Sequence, residues 1–492
     1  MINNDLLFIL LFWGTWLLIP VVTDGAVTLW YLLMSFSTLL DKTPPPLPKK
    51  GLTKVSILIP AYNEQLNINY CIMSLKAQTY PQHLLEIIVV DDGSEDHTPD
   101  LVLEHMGPYN GDGNSRYLRT SSFTIGTQDF GGVLNLVRRK RDGATIHGKP
   151  AAVNAALALA TGDLIVAIDS DVVLEPHAVE NAVRAFLADD SMIAATGHLV
   201  VDPYLSFEND ATGRAHADEA GMPVVKPLSL NENLLAACQF LEYSTAFHLG
   251  RRSESRFDGL FTLSGACAVF RRSAFEVTGG YRGRTVSEDT DMTMALHRIP
   301  GEHVGYLPNM EVHLAPVLSW SSLYAQRTRW QRGALEVSAV HMMAKYQQCG
   351  KRMFWNVILP LRLQVDHTLA LPRLIWTFLI FMLPLFGYST DLISQALGLM
   401  FVFYLAVNFV RVLVTYAFST PPEKVLIRRY LGYTLALPVY TMFLFWTRLS
   451  ASLRTLTEDA TWTVHNTLLE DLESFDMRYA IARVATMLHE FL

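Results

Sequence analysis

From Leu6 to Leu40 the chain carries a single charged residue, Asp24. A helix of that length, rising about 1.5 Å per residue, exceeds the ~30 Å hydrocarbon core of a bilayer. The run predicts membrane insertion, as one long span or as two short arms turning near Pro20–Gly25. Lys42, Lys49, Lys50 and Lys54 follow it. Positive charge collects on the cytoplasmic side of membrane segments, so the next domain is expected in the cytoplasm. Apolar runs return at Leu371–Gly387 and Leu392–Phe418, both long enough to span, and at Leu431–Trp446, which is marginal. Pro421–Lys424 with Arg428 and Arg429 reads as a cytoplasmic loop between the last two.

Between these blocks the pattern changes. The stretch Thr43-Pro44-Pro45-Pro46-Leu47-Pro48 is a stiff linker. Short β-rich runs then alternate with helical patterns. Lys54–Pro60 ends in Ala61-Tyr62-Asn63-Glu64, and Leu85–Val90 ends in Asp91-Asp92-Gly93-Ser94. Leu164–Ile168 ends in Asp169-Ser170-Asp171. Alternation of this kind predicts a Rossmann-like α/β domain with a largely parallel sheet. The polar clusters all fall at strand C-termini, where open α/β sheets bind ligands. Residues 346–370 mix Trp355, Arg362, Asp366 and His367 with apolar positions, as helices lying at a membrane surface do. The expected organisation is therefore an N-terminal membrane segment and linker (1–48) and an α/β domain (49–345). Interfacial helices (346–370), C-terminal membrane helices (371–450) and a tail (451–492) follow.

Composition supports the division. Half the residues are hydrophobic and 17% are charged, against about 25% charged in soluble domains. The net charge of −8 gives no support to nucleic-acid binding. Four cysteines, Cys71, Cys238, Cys267 and Cys349, form no CxxC pair and read as small buried apolar residues. His303, His313 and His341 have no metal-ligand spacing, and His313 reads as structural. The run Arg138-Arg139-Lys140-Arg141 reads first as a solvated face. Residues 203–227 match no pattern with a chemical meaning.

In order, the chain carries Pro60–Glu64, Asp91–Ser94, Gly148-Lys149 with Asn154, and Asp169–Asp171. Ser264-Gly265-Ala266, Ser287-Glu288-Asp289 and Gln326-Arg327-Thr328-Arg329-Trp330 follow. This ordered set, over roughly residues 52–345, resembles the membrane-embedded family 2 glycosyltransferases of GT-A fold. That family includes cellulose, hyaluronan and poly-N-acetylglucosamine synthases. The resemblance implies that Tyr62 and Glu64 contact uracil and that Asp91 and Asp92 hold the uridine. Asp169 and Asp171 would bind Mg2+ or Mn2+, with Asp169 also toward the donor. Two carboxylates on alternate residues of an extended segment point the same way, as a hard-oxygen site requires. Lys149 and Arg329 would face the donor diphosphate, and Gln326 would also contact the donor. Asp289 would be the general base, with Arg329 the second catalytic group, and Gly265 and Trp330 would border the acceptor.

The implied reaction is inverting transfer from a UDP-sugar, N-acetylglucosamine or glucose, to a growing β-linked polysaccharide. Export through the membrane helices, a multi-pass plasma-membrane location and an accessory export subunit belong to the same expectation. The alternative is single transfer to a lipid or other membrane carrier. A transporter lacks support, because the large polar domain has no place in one.

Overall fold

The computed structural model describes residues 21–37, 46–48, 51–106, 117–126, 129–140, 147–210, 214–218, 222–343, 354–360, 380 and 382–457. The expected membrane stretches at 6–20, 38–40 and 371–379, most of the interfacial segment, the tail beyond 457, Arg141 and Cys349 lie outside them.

The three strands expected from the apolar runs form. They are β1 (Val55–Ala61), β2 (Leu85–Asp91) and β6 (Leu164–Ile168). Each is buried almost throughout, which explains why its sequence is a continuous apolar run. A strand covered by helices on both faces has no polar side to alternate with. Helices Ile68–Lys76 and Lys149–Leu159 supply Ile68, Ile72, Leu75, Ala152, Val153 and Ala156 to that cover.

The remaining strands are β3 (Tyr117–Arg119), β4 (Thr124–Gly126), β5 (Val133–Arg138), β7 (Val172–Leu174), β8 (Met192–Val201), β9 (Cys267–Arg271) and β10 (His303–Leu314). β3 and β4 pair apart as a hairpin, and the others join one sheet in the order β5-β2-β1-β6-β9-β8-β10-β7. The half β5-β2-β1-β6 is parallel throughout, as is the β8–β10 pair. β9 runs antiparallel to both β6 and β8, and β7 antiparallel to β10. The sheet is thus mixed, more so than the sequence pattern predicts. β9 is the cause: it enters after a long helical excursion and inserts between β6 and β8.

From β1 the chain winds to β2 and β5 on one side, then returns to β6 on the other. The switch point therefore lies between β1 and β6. Tyr62–Glu64 and Asp169–Asp171 extend from the C-terminal ends of those two neighbours, which is where a crevice opens in such sheets.

The described parts of 203–227, unread in the sequence, pair with one another as short antiparallel bridges. Isolated bridges pair Phe207 with Val225, Asn209 with Ala215, and Ala217 with Pro223.

Beyond the sheet, helix Thr390–Phe418 has 29 residues and a mean hydropathy of 2.1, with 11% of its most apolar window buried. Among the described residues it is the one helix long and apolar enough to cross a membrane. The marginal run Leu431–Trp446 does not form a continuous span. A 3-10 turn, Leu431–Leu435, breaks it before helix Leu437–Thr457, which has Pro438 in its first turn. That last helix packs on the α/β domain, with Phe443 edge-on to Trp320 at 4.8 Å. The N-terminal helix Ala26–Ser37 leans on Thr390–Phe418. Arg411 Nε donates to Thr28 Oγ1 at 2.9 Å, and the Tyr404 hydroxyl donates to Asp24 Oδ2 at 3.0 Å.

Candidate active site

The loops after β1 and β2 are knitted together by their own polar side chains. Asn63 takes a left-handed backbone, φ 56°, a region that asparagine enters more readily than most residues. Its N–H donates to Ser94 Oγ at 2.9 Å, and its Oδ1 accepts from Glu95 N–H at 2.9 Å. This leaves Tyr62, 39% exposed, at the rim. Glu64 lies deeper. Burial, then the nearby charge of Asp171, pushes its carboxyl up to about 7.

Asp91 and Asp92 are both buried. The Asp92 carboxylate is taken up by protein donors: Gly148 N–H at 2.8 Å, Arg139 Nη1 at 2.5 Å and the His147 ring at 3.0 Å. It fixes the turn that delivers Lys149. Asp91 Oδ1 accepts from Ser94 N–H, whereas Oδ2 accepts no hydrogen bond among the described residues and lies 3.5 Å from Arg138. Within the basic run Arg139 is therefore not part of a solvated face, being largely buried against Asp92, whereas Arg138 stays exposed.

At the centre, Gly148 caps helix Lys149–Leu159 with φ 104°. Lys149 Nζ lies 2.5 Å from Asp169 Oδ1, 3.0 Å from the Gly265 carbonyl and 3.6 Å from Glu288 Oε1. Burial alone would lower its pKa, but the charges of Asp169 and Glu288 raise it, so the ammonium is held. Gly265 N–H donates to Asp289 Oδ2 at 3.0 Å, and Thr290 N–H donates to Asp289 Oδ1 at 2.7 Å. Glu288, at the start of the same helix Glu288–Leu296, is buried, and its carboxyl is pushed up to about 7 by that burial.

Gln326, Arg329 and Trp330 lie on helix Trp320–Met343. Gly333 lets this helix touch the Ser287-Glu288-Asp289 segment, since a Cβ there would overlap the Ser287 hydroxyl. Trp330 is 40% exposed, with the Arg327 guanidinium 4.4 Å from its ring centre. Gln326 Oε1 is buried and accepts no hydrogen bond among the described residues.

These groups converge on one cavity of about 540 Å³. Its lining includes Lys149, Asp169, Asp171, Asp289, Arg329 and Trp330, together with Gly265 and Gln326. Tyr62, Glu64, Asp91 and Asp92 stand outside that lining. The residues fit a divalent cation. Asp169 and Asp171 present only oxygen donors, the set that Mg2+ and Mn2+ prefer. Burial, then the neighbouring Asp169 charge, pushes the Asp171 carboxyl up to about 6. A bound cation would relieve that charge crowding.

Residues 53–333, more than half of the chain, match the family described as glycosyltransferase like family 2. The chain belongs to the family 2 glycosyltransferases. Relatives of this glycosyltransferase include the probable glycosyltransferase YdaM of Bacillus subtilis, 26% identical over 63% of this chain and 61% of the relative. Poly-beta-1,6-N-acetyl-D-glucosamine synthase of Staphylococcus epidermidis is 23% identical over 58% of this chain and 55% of the relative. Beta-monoglucosyldiacylglycerol synthase of Trichormus variabilis is 24% identical over 70% of this chain and 58% of the relative. The chain thus spans little more than half the length of these relatives. Among solved structures, the mannosyltransferase PcManGT from Pyrobaculum calidifontis, held with GDP-Man and Mn2+, aligns with a TM-score of 0.52. It is 18% identical, with 90% of this chain and 97% of that one covered. That likeness supports the GT-A fold: a Rossmann-like, curled, mixed sheet.

Sequence reasoning missed a set of linked groups in the wall of the glycosyltransferase site. Arg327 donates to Glu242 Oε2 at 2.8 Å, and the Tyr440 hydroxyl donates to the same oxygen at 2.7 Å. Glu242 and Tyr243, on helix Leu230–Thr245, line the cavity with Arg327. The available signal was Glu242 itself, one acid in the otherwise uncharged stretch Asn233–Leu249.

Proposed function

We propose that the protein transfers a sugar from a UDP-sugar, with inversion, to a growing β-linked polysaccharide at the plasma membrane. UDP-N-acetylglucosamine and UDP-glucose are the candidate donors. The observation that carries the reading is the single cavity in which Lys149, Asp169, Asp171, Asp289, Arg329 and Trp330 meet.

In this reading the donor enters from the β1–β6 crevice, with uracil against Tyr62 and Glu64 and uridine near Asp91 and Asp92. Asp169 and Asp171 would hold Mg2+ or Mn2+, which supplies Lewis-acid charge to the diphosphate. Lys149 and Arg329 face the same diphosphate, with Gln326 also toward the donor. The two cations meet negative charge as it grows on the leaving group, and Arg329 can do so through two parallel N–H donors. Gly265 and Trp330 border the acceptor sugar. The acceptor hydroxyl oxygen forms a bond to the anomeric carbon while the bond from that carbon to the phosphate oxygen breaks. The hydroxyl proton passes to Asp289 and UDP departs. One in-line displacement inverts the anomeric centre.

A second reading is single transfer to a membrane lipid. It is favoured by the one long apolar helix among the described residues, since a polymer path needs several helices. The similarity to a beta-monoglucosyldiacylglycerol synthase agrees with it. Purified protein in detergent should be offered each UDP-sugar in turn with Mg2+ or Mn2+. A polymer ladder supports the first reading, and one sugar added to lipid supports the second. No UDP release from any UDP-sugar overturns both.

A further inference from the structure

His198, His248 and Glu423 come together far apart in sequence and outside the site just described. His198 lies on β8. His248 lies on the π-helical turn Ala246–Arg251 that ends helix Leu230–Thr245. Glu423 lies in the first turn of helix Pro421–Tyr430, which follows the long apolar helix. All three side chains are at most 3% exposed. His198 Nε2 is 3.0 Å from Glu423 Oε1, and His248 Nε2 is 2.9 Å from Glu423 Oε2. The two imidazole rings are 4.4 Å apart, centre to centre.

We propose that His198, His248 and Glu423 form a transition-metal site, with zinc the preferred ion, that pins the catalytic domain to helix Pro421–Tyr430. Among the described residues this is the one group of three or more His, Cys, Asp or Glu whose ligand atoms gather within 4.8 Å of one another. Two imidazoles and a carboxylate are a zinc-type donor set, poorly matched to Mg2+. Ligand bonds of about 2.0–2.1 Å at tetrahedral angles put donor atoms roughly 3.3 Å apart. The two histidines now sit 3.0 and 2.9 Å from different oxygens of Glu423, and one ligand atom from each residue lies within 4.8 Å of the others, so side-chain shifts would close the three round one ion.

The surroundings orient the ligands. The Tyr306 hydroxyl lies 2.7 Å from His198 Nδ1, which turns Nε2 toward Glu423. When the ion binds Nε2, the neutral ring carries its proton on Nδ1, where the Tyr306 oxygen accepts it. Hydrogen bonding at the far nitrogen of a ligating histidine is how metal sites fix ring orientation. Glu423 is held in turn by Thr420, whose N–H donates to Oε2 at 3.1 Å. His248 owes its position to the π-helical turn, a rare feature that concentrates at functional sites. Three protein ligands leave a fourth position for water, and the ion would tie β8, the π turn and the helix after the apolar segment into one joint.

The test uses the full chain in detergent. The protein is stripped with chelator, given equimolar zinc and desalted, and its metal is then counted by mass spectrometry. We expect about one zinc per chain in the wild type and in Asp171→Asn, and a rise in melting temperature on zinc addition. We expect His198→Gln/His248→Gln to retain none and Glu423→Gln to bind at least tenfold more weakly. If those variants fail to fold, Co2+ loaded into the wild type still decides. Intense tetrahedral d–d bands, displaced by zinc, support the site, and their absence overturns it. Wild type holding no zinc, zinc persisting in the double variant, or zinc lost on Asp171→Asn each overturns it as well.

Discussion

Gly265 donates its backbone N–H to Asp289 Oδ2 at 3.0 Å, while its carbonyl accepts from Lys149 Nζ at the same distance. One residue thus sets the separation between the proposed base and the cation. A Cβ added at this position would lie 3.1 Å from both Asp289 Oδ2 and Lys149 Nζ. Each neighbour would have to yield by a few tenths of an ångström. Gly265→Ala is expected to lower kcat at least tenfold, because small misplacement of reacting groups is costly. UDP binding and the circular dichroism spectrum should stay near wild type. Unchanged kcat would show that this spacing does not matter.

Asp289→Asn keeps the shape but removes the basic oxygen; its single amide oxygen can accept from Gly265 N–H or Thr290 N–H but not from both. A positioned general base contributes about 10²–10⁴ in rate, so sugar transfer should fall by that factor or more. Donor affinity should be largely kept, as read by isothermal titration with the UDP-sugar. Transfer at near-normal rate would move the base elsewhere, with the neighbouring Glu288 the first candidate.

Part of this candidate site could be read from the chain pattern because Tyr62, Glu64, Asp91, Asp92, Asp169 and Asp171 sit at or just past strand ends. The runs Lys54–Pro60, Leu85–Val90 and Leu164–Ile168 are buried on both faces, so composition alone marks them, and the polar residues that follow are conspicuous. Lys149, Asp169, Asp289 and Arg329 were legible as an ordered set and do share one cavity. Direct partnerships were not legible. Nothing in the sequence says that Asp92 is engaged by Arg139 and Gly148, or that Glu242 joins Arg327 to Tyr440. Those contacts cross up to about 200 positions, and no periodic pattern encodes them. β9 was missed for a related reason: its place between β6 and β8 is set by tertiary pairing rather than by local alternation.

Chelation tests the acidic pair. Asp169 and Asp171 stand where a divalent cation would balance crowded charge, so EDTA should abolish transfer and added Mg2+ or Mn2+ should restore it. Asp171→Asn should lose most activity and require at least tenfold more metal for half-maximal rate. Full activity in metal-free buffer would remove the cation from the mechanism and leave Lys149 and Arg329 to meet the leaving group.

Gly333 governs how closely helix Trp320–Met343 approaches Ser287. Gly333→Ala must push that helix away from the Ser287-Glu288-Asp289 segment. Overpacking of this kind costs about 1–3 kcal/mol. The expected result is a lower melting temperature together with a loss of kcat, since Arg329 and Trp330 move with the helix. Alanine tolerated on both measures would mean that the loop, not the helix, sets the contact.

His313 offers a pH test away from the chemistry. Its ring, fully buried on β10, lies 2.9 Å from Asp202 Oδ2 through Nδ1 and 2.8 Å from Glu311 Oε1 through Nε2. Burial opposes the charged ring, but hydrogen bonds to the two carboxylates outweigh it and push its pKa up to about 10. Both carboxyls are held below their ordinary values by the same contact. In an unfolded chain histidine titrates near pH 6.5. The stabilisation is therefore complete below that value and is lost as pH rises toward 10, by at most about 1.4 kcal/mol per pH unit for one proton. Thermal unfolding in detergent at pH 6.5, 7.5, 8.5 and 9.5 should show the wild-type melting temperature falling steadily. His313→Gln leaves two buried carboxylates facing each other without a cation, and breaking such a buried pair costs roughly 3–5 kcal/mol. The variant should melt lower at pH 6.5, with the gap to wild type narrowing as pH rises. Parallel curves for the two proteins would mean that the buried ring is not charged.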